Sequence, residues 1–260
     1  ARMSLMTLEQ VSIGYSNRII ATDINLTLEE QQVICLLGAN GCGKTTLLKS
    51  MLGLIPTHSG KIIIGEQPLT HWQPKALAKF IAYVPQAHHS LFPYTVEEVV
   101  LMGRHAHLHW LSVPGNKDCD VAAQALALLR IDHLAQRHYT ELSGGERQLV
   151  LIARALAQEP KVLIMDEPAA SLDFGNQIRV LEQIKQLKPQ GISVIMTTHH
   201  PQHAFSVADK VVLMKAGKLI KQGSCQAVLT ADNLADLYDV TRDKIIENLP
   251  ETAQNDPSKE

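Results

Sequence analysis

The stretch Val33-Ile34-Cys35-Leu36-Leu37-Gly38-Ala39-Asn40-Gly41-Cys42-Gly43-Lys44-Thr45 restricts the fold more than any other part of the chain. Five apolar residues run without interruption into a glycine, as expected of a strand covered on both faces. The next eight match G-x-x-x-x-G-K-[ST], and Thr46-Leu47-Leu48-Lys49 continue as a helix, so the loop stands between a buried strand and a helix start. Its glycines let the backbone wrap around phosphate without Cβ clashes, while several N–H groups converge on the anion. The helix N-terminus adds partial positive charge. Lys44 is placed to reach β- and γ-phosphates, and the Thr45 hydroxyl to bind Mg²⁺. Gly38, Ala39, Asn40, Gly41, Cys42, Gly43, Lys44, Thr45 and Thr46 are therefore the candidate contacts to ATP.

Strand and helix patterns alternate around this loop. Leu5, Leu8, Val11 and Ile13 lead to a turn at Gly14-Tyr15-Ser16-Asn17, and Ile24, Leu26 and Leu28 then alternate with polar residues. These predict antiparallel N-terminal strands, with a further strand over 61–64. From about Gln86 to Glu159 the pattern is helical. Val121, Ala125, Leu128 and Leu129 form one apolar stripe, and Leu149, Ile152, Ala153 and Leu156 form another. Strand signals return at Val162-Leu163-Ile164-Met165, Val194-Ile195-Met196 and Val211-Val212-Leu213-Met214, which implies a parallel sheet with helical crossovers. The expected fold class is α/β in one domain over 1–260. It has a P-loop nucleotide-binding core from 1–86 and 160–240, an inserted helical subdomain over 87–159, and a C-terminal tail over 241–260 that frays from Pro250.

The strand at 162–165 ends in Asp166-Glu167, two adjacent carboxylates at the end of a strand where ligands of open α/β sheets collect. Beside a phosphate loop, Asp166 reads as a Mg²⁺ ligand, direct or through water. Glu167, one residue further, reads as the group that orients and deprotonates an attacking water.

Composition narrows the class. The 24 basic and 26 acidic residues leave a net charge of −2, so no global field favours nucleic acid or anionic lipid. An aromatic content of 4 % argues against a base-stacking surface. No apolar run approaches the roughly 18–20 residues that span a bilayer, and no secretory signal is visible. Ala1-Arg2 reads as a cloning remnant ahead of a native start at Met3. Cys35, Cys42, Cys119 and Cys225 lack metal or redox spacing and read as reduced thiols of a cytosolic protein.

Leu142-Ser143-Gly144-Gly145-Glu146 resembles the LSGGQ-type signature of ABC ATPases, with Glu146 in the last position. A serine and two glycines at a helix start form a second anion-binding surface. One chain does not need two such surfaces for one nucleotide, whereas two chains arranged head-to-tail do. The resemblance covers nearly the whole chain and implies further roles. Tyr15 would stack on adenine, and Gln86 would touch Mg²⁺ and water while relaying nucleotide state to a membrane partner. Ser171-Leu172-Asp173 is similar to the D-loop, and His199 to the switch histidine that contacts the γ-phosphate. The catalytic set implied is Glu167, His199, Gln86 and Lys44, the Mg²⁺ set Thr45, Gln86 and Asp166. Ser143, Gly144, Gly145, Glu146 and Asp173 complete the nucleotide site.

Within that family, a fused transmembrane domain, a long C-terminal regulatory domain, coiled-coil insertions and a second ATPase unit are all missing from the sequence. A stand-alone importer subunit remains. Residues 92–104, from Phe92 to Arg104, resemble the metal-chelate branch, which imports ferric siderophores, haem, cobalamin or molybdate and tungstate, and the overall resemblance leans to the molybdate/tungstate member. That stretch is expected to form the groove for the permease's coupling helix. The implied partners are a second copy, two permease subunits and, indirectly, a periplasmic substrate-binding protein, with no nucleic acid. The implied location is the cytoplasmic face of the inner membrane, peripheral through the permease. The alternative is a soluble ABC ATPase acting on nucleic acid or ribosomes.

Three departures stand out. Cys42 replaces the usual serine: either a small residue at a free position or, with its thiol pKa lowered by the helix N-terminus, the most alkylation-prone cysteine. His200 replaces a common aspartate and, facing the positive end of the helix begun by Pro201, is expected to be neutral. His105, His107 and His109 would share a face only on a strand, and read as solvated loop histidines.

Overall fold

The computed structural model describes residues 2–86, 93–109 and 112–248. Strands β1 (Ser4–Tyr15) and β2 (Arg18–Glu29) form the expected hairpin, closing Tyr15 against Arg18. Strand β3 (Val33–Leu37) follows, then the phosphate loop and helix α1 (Lys44–Met51). Strand β4 (Thr57–Ile64) begins at Thr57 rather than Lys61 and pairs antiparallel with β1, and the short β5 (Gln67–Pro68) completes a four-stranded sheet in the order β2-β1-β4-β5. Helix α2 (Pro74–Phe80) leads into β6 (Ile81–Val84).

The chain then passes through α3 (Val96–Leu101), α4 (Asn116–Leu128) and α5 (Gly144–Leu156), and returns as β7 (Val162–Met165), α6 (Phe174–Leu187), β8 (Ser193–Thr198), α7 (Pro201–Val207), β9 (Lys210–Lys215) and β10 (Lys218–Gly223). These strands form a six-stranded sheet in the order β10-β9-β3-β8-β7-β6, parallel except for the β9–β10 edge hairpin. Its central strands are buried on both faces. Val33, Cys35 and Leu37 enter one core with α3, α4, α5 and α6, whereas Ile34 and Leu36 enter a second core with α1 and the antiparallel sheet. The same alternation holds along β7, β8 and β9, as the two-residue period of a strand demands. Each such buried Val, Ile or Leu contributes about 1.5–3 kcal/mol of transfer free energy. That fixes the strand register and hence where each strand ends.

The helical stretch differs in detail from the sequence expectation. On α4 the buried stripe is Ala122, Ala125, Leu126 and Leu129, rotated from the predicted face, because Val121 and Leu128 stay half-exposed at its margin. On α3, Val96, Val99 and Val100 are buried in the core, whereas Tyr94 is exposed and Leu101 and Met102 are half-buried; Phe92 lies outside the described residues. A Thr95–Glu98 capping box starts α3. Behind its end, the buried Arg104 guanidinium reaches Asp118 (2.8 Å), Glu159 (2.7 Å) and the Ala157 carbonyl (2.6 Å), tying α3 and α4 to the C-terminus of α5. His105 is exposed, as expected, with its ring bonded to the Met102 carbonyl, whereas His107 is half-buried and bonds the Gln158 carbonyl. His109 is exposed.

The C-terminal end is more structured than a tail. Helices α8 (Cys225–Val228), α9 (Ala231–Tyr238) and α10 (Arg242–Asn248) follow β10. Leu234 and Leu237 of α9 pack into the large core, and of the stretch expected as a tail, α10 is helical with Ile245 packed against that core. The stretch from Pro250 lies outside the described residues. Among the described residues no helix is long and apolar enough to cross a membrane.

Candidate active site

The buried strand β3 delivers the phosphate loop at its C-terminal end. Gly38 must be glycine, since a β-carbon there would stand 2.4 Å from the Met214 carbonyl oxygen and 2.6 Å from Cys42 Sγ. Gly43 caps α1 at φ 109°, a left-handed conformation that side chains rarely adopt. Ala39, Asn40, Gly41 and Thr45 are exposed on the loop, and Thr46 is half-buried. Lys44 is 5 % exposed and folds back over the loop, donating to the Gly38 carbonyl at 2.8 Å and the Ala39 carbonyl at 3.2 Å.

Strands β7 and β8 bring the acidic and histidine side chains to the same place. Asp166 accepts from Thr45 Oγ1 (2.8 Å) and from Thr197 Oγ1 (2.7 Å). Thr197 Oγ1 in turn accepts from the Glu167 N–H at 2.9 Å. In a regular strand Asp166 and Glu167 would point to opposite faces. Glu167 instead has φ 46°, and this turn sets its carboxylate 3.8 Å from Lys44 Nζ and 3.2 Å from His199 Nδ1. Such a conformation costs about 1–3 kcal/mol for a residue other than glycine, and strain of this kind collects at working sites. His199 Nδ1 is buried yet makes no hydrogen bond of acceptable geometry. Lys44, Thr45, Asp166, Glu167 and His199 thus converge, as the sequence suggested.

The remaining candidates lie around this cluster or apart from it. Gln86 Nε2 donates to Ser171 Oγ, which joins the strand β6 exit to the 171–173 turn. Tyr15 is 49 % exposed at the tip of the β1–β2 hairpin; that hairpin meets the loop through Ile20, whose Cγ2 lies 3.0 Å from where a β-carbon on Gly43 would be. Asp173 caps α6, accepting from Asn176 N (2.9 Å) and Asn176 Nδ2 (2.7 Å), bonds that hold its carboxyl below the usual range. Ser143 and Glu146 form a capping box on α5: Ser143 Oγ accepts from Glu146 N (3.2 Å), and Ser143 N donates to Glu146 Oε2 (2.7 Å). That backbone bond holds the Glu146 carboxyl low. Gly145 packs so closely on Asn176 that a β-carbon would stand 2.4 Å away. Among the described residues no hydrogen bond or ion pair links 143–146 to the phosphate loop or to Glu167.

Two titration expectations fare differently. The thiol of Cys42 is raised rather than lowered, because burial outweighs the attraction of Lys44 and the backbone N–H groups. His200 is depressed as expected, but chiefly by burial and then by His199 rather than by the helix start. Its ring is tilted at 43° against that of His199, with centroids 4.1 Å apart, and the His203 ring centroid lies 4.9 Å from it on the other side. His203, depressed to about 4 by burial, bonds Thr198 Oγ1 at 3.0 Å. The sequence reading missed Thr197 and Thr198. Two hydroxyls closing the buried run Val194-Ile195-Met196 were the available signal, since a polar group that is 0–2 % exposed must find a partner.

A separate apolar groove of about 940 Å³ opens between α1 and α2, lined by Leu52, Leu54, Ile55, Leu69, Trp72 and Leu77. Gln158, just beyond α5, closes one side, and none of residues 93–104 lines it.

Comparison with known proteins adds to this geometry. Residues 21–170 match the ABC transporter family. An uncharacterized ABC transporter ATP-binding protein of Haemophilus influenzae is 52 % identical over 92 % of this chain and 90 % of its own length. The molybdate import ATP-binding protein MolC of the same organism is 37 % identical over 90 % of this chain and 87 % of its own. Among solved structures, a metal-chelate type ABC transporter in an inward-facing conformation superposes with a TM-score of 0.81 at 37 % identity, covering 91 % of this chain and 89 % of the other.

Proposed function

The chain belongs to the ABC transporter family as an ATP-binding ATPase, and from that premise we propose that two copies, joined head-to-tail, drive uptake of a metal chelate or oxyanion through a membrane permease. The observation that carries the reading is the convergence of Lys44, Thr45, Asp166, Glu167 and His199 at the ends of three neighbouring strands, with no group from the Ser143 turn among them. ATP lies against loop 38–45 of one copy and meets the Ser143-Gly144-Gly145 helix start of the other. Lys44 exchanges the Gly38 and Ala39 carbonyls for phosphate oxygens. Tyr15 stacks on the adenine. Ser143 Oγ accepts a bond within its own cap and so keeps its O–H to donate to the facing phosphate.

Thr45, Gln86 and Asp166 offer the hard oxygen donors that suit Mg²⁺, and the Thr45–Asp166 bond supports that reading by bringing two of them to one point. When bound, the ion neutralises charge on the β- and γ-phosphates. Glu167 takes a proton from water as its oxygen attacks the γ-phosphorus and ADP departs. His199, within 3.2 Å of that carboxylate, holds the γ-phosphate and orients the water. Positioning and charge stabilisation of this kind supply most of the acceleration in phosphoryl transfer. Loss of the γ-phosphate removes contacts that bridge the copies, so the pair reopens and moves the partner.

The apolar groove beside α1, with Leu54 67 % exposed at its rim, supports a membrane-protein partner docked on the cytoplasmic side. An upstream periplasmic binding protein would deliver the substrate, and molybdate or tungstate is the first candidate. The reading against a nucleic-acid or ribosome ATPase rests on the near-neutral charge and on importer relatives. The test is purification from membranes followed by reconstitution in liposomes with a panel of chelates and oxyanions. ATP-dependent accumulation of one of them, by a complex holding two copies of this chain and a multi-span protein, is the expected result. Stimulation of the ATPase by ribosomes or nucleic acid, with no membrane protein retained, would overturn it.

A further inference from the structure

The C-terminal helices run directly behind His199. Tyr238, the last residue of α9, donates its phenolic O–H to the His199 carbonyl at 2.8 Å. Helix α9 is itself anchored. Lys215, at the end of β9, bonds the Asp236 carbonyl, Asp236 Oδ1 (3.1 Å) and Asp239 Oδ1 (2.7 Å), a cation at a helix C-terminus. The residue before it, Met214, is the one whose carbonyl and Cε press on Gly38 and Gly43 of the phosphate loop. One strand end therefore references both the loop and α9, and Tyr238 carries that reference to His199. A cleft of about 250 Å³ separates the 199–202 turn from α9 and α10, with Leu234, Tyr238 and Ile245 on the far wall. His199 Nδ1 makes no hydrogen bond of good geometry, so the ring is held by its backbone, by the Glu167 carboxylate 3.2 Å away and by the tilted His200 ring beside it.

We propose that Tyr238 is a positioning residue for His199: its hydrogen bond to the His199 carbonyl keeps the imidazole at the height of the γ-phosphate above loop 38–45. The proposal rests on the reading of His199 as a phosphate contact. Burial pushes the Tyr238 hydroxyl up to about 12, so it remains a donor throughout the working pH range. The sequence offered no trace of this link, because 39 residues separate the partners.

The experiment compares Tyr238→Phe, Asn233→Ala and His199→Ala in the full-length chain. Tyr238→Phe keeps the ring and removes one hydrogen bond, so kcat for ATP falls about fivefold while KM stays within about twofold. Amide hydrogen exchange across Thr197 to His203 rises, and exchange in loop 38–45 does not change. Asn233→Ala, which loses a bond of similar length at the start of α9 (2.9 Å to the Val228 carbonyl), retains wild-type kcat. Wild-type kcat in Tyr238→Phe, or a lowered kcat with unchanged exchange across Thr197 to His203, overturns the proposal. Should His199→Ala itself turn over normally, the role of His199 in catalysis fails. The exchange data then still report whether Tyr238 holds that turn.

Discussion

Two helix starts in this chain, α1 at Gly43 and α5 at Ser143, use similar ingredients: glycines, a hydroxyl and free N–H groups at the positive end of a helix. Their surroundings differ. Around α1, one lysine, one threonine, two carboxylates and one histidine arrive from α1 itself, β7 and the turn after β8, and bond or pair with one another. At the start of α5 the Ser143–Glu146 box spends its side-chain bonds on the helix itself, Gly145 packs against Asn176, and Arg147 and Gln148 bond the Leu142 and Pro85 carbonyls. The first half-site carries a base and a lysine but has an open outer face. The second carries a donor surface and no reactive group. The geometry within one chain does not bring the two together, and the proposed head-to-tail pair would place both halves on one nucleotide.

The largest effect that probes this contrast is at the base. Glu167→Gln keeps the size of the side chain beside Lys44 and His199 but cannot take a proton, so kcat falls by about 10²–10⁴. Nucleotide binding persists, and ATP-bound pairs accumulate in size-exclusion chromatography. Unchanged turnover would strip Glu167 of its role.

Acid separates the two halves by a smaller margin. His203, behind the first half-site, has a folded pKa of about 4 against an ordinary 6.5. Its stabilisation is complete above pH 6.5 and is lost as pH falls towards 4, because the unfolded chain takes up a proton that the folded chain refuses. The loss is at most about 3 kcal/mol. Glu146, in the second half-site, is depressed below its ordinary 4.5, so its contribution is intact above pH 4.5 and fades only as pH falls through the lowered value. Thermal unfolding from pH 8 to 4 should therefore flatten between 6.5 and 4 in His203→Gln. In Glu146→Gln it should change shape only below 4.5, with an offset of about 1 kcal/mol from the weakened cap. A Glu146→Gln profile altered near pH 6 would contradict the assignment.

What the sequence made legible follows the same division. The first half-site announces itself because its chemistry is local: a glycine loop after Leu37, and two acids after Met165, each at the end of an apolar run. The helix caps were harder to read. The family pattern makes Asp173 and Glu146 candidate ligands, and their bonds to Asn176 and Ser143 add that they also cap helix starts. The valines of α3 are buried against α5, whereas periodicity says only that a face is apolar and not what covers it. Helices α9 and α10 were read as core edge and tail because Leu234, Leu237 and Ile245 are too few to make a strong stripe. Their contact with His199 depends on a tertiary bond that no local pattern encodes.

The shared site can be tested by mixing two inactive chains. Lys44→Ala removes the phosphate lysine but leaves the Ser143 turn intact, and Ser143→Arg does the reverse. In a head-to-tail pair of one chain of each kind, one composite site unites the intact loop of the second variant with the intact turn of the first. ATPase activity should therefore reappear on mixing, approaching about one quarter of wild type when half of the pairs are mixed and each has one working site. No recovery, with mixed pairs demonstrably formed, would mean that each chain hydrolyses ATP alone and would contradict the division of the site between copies.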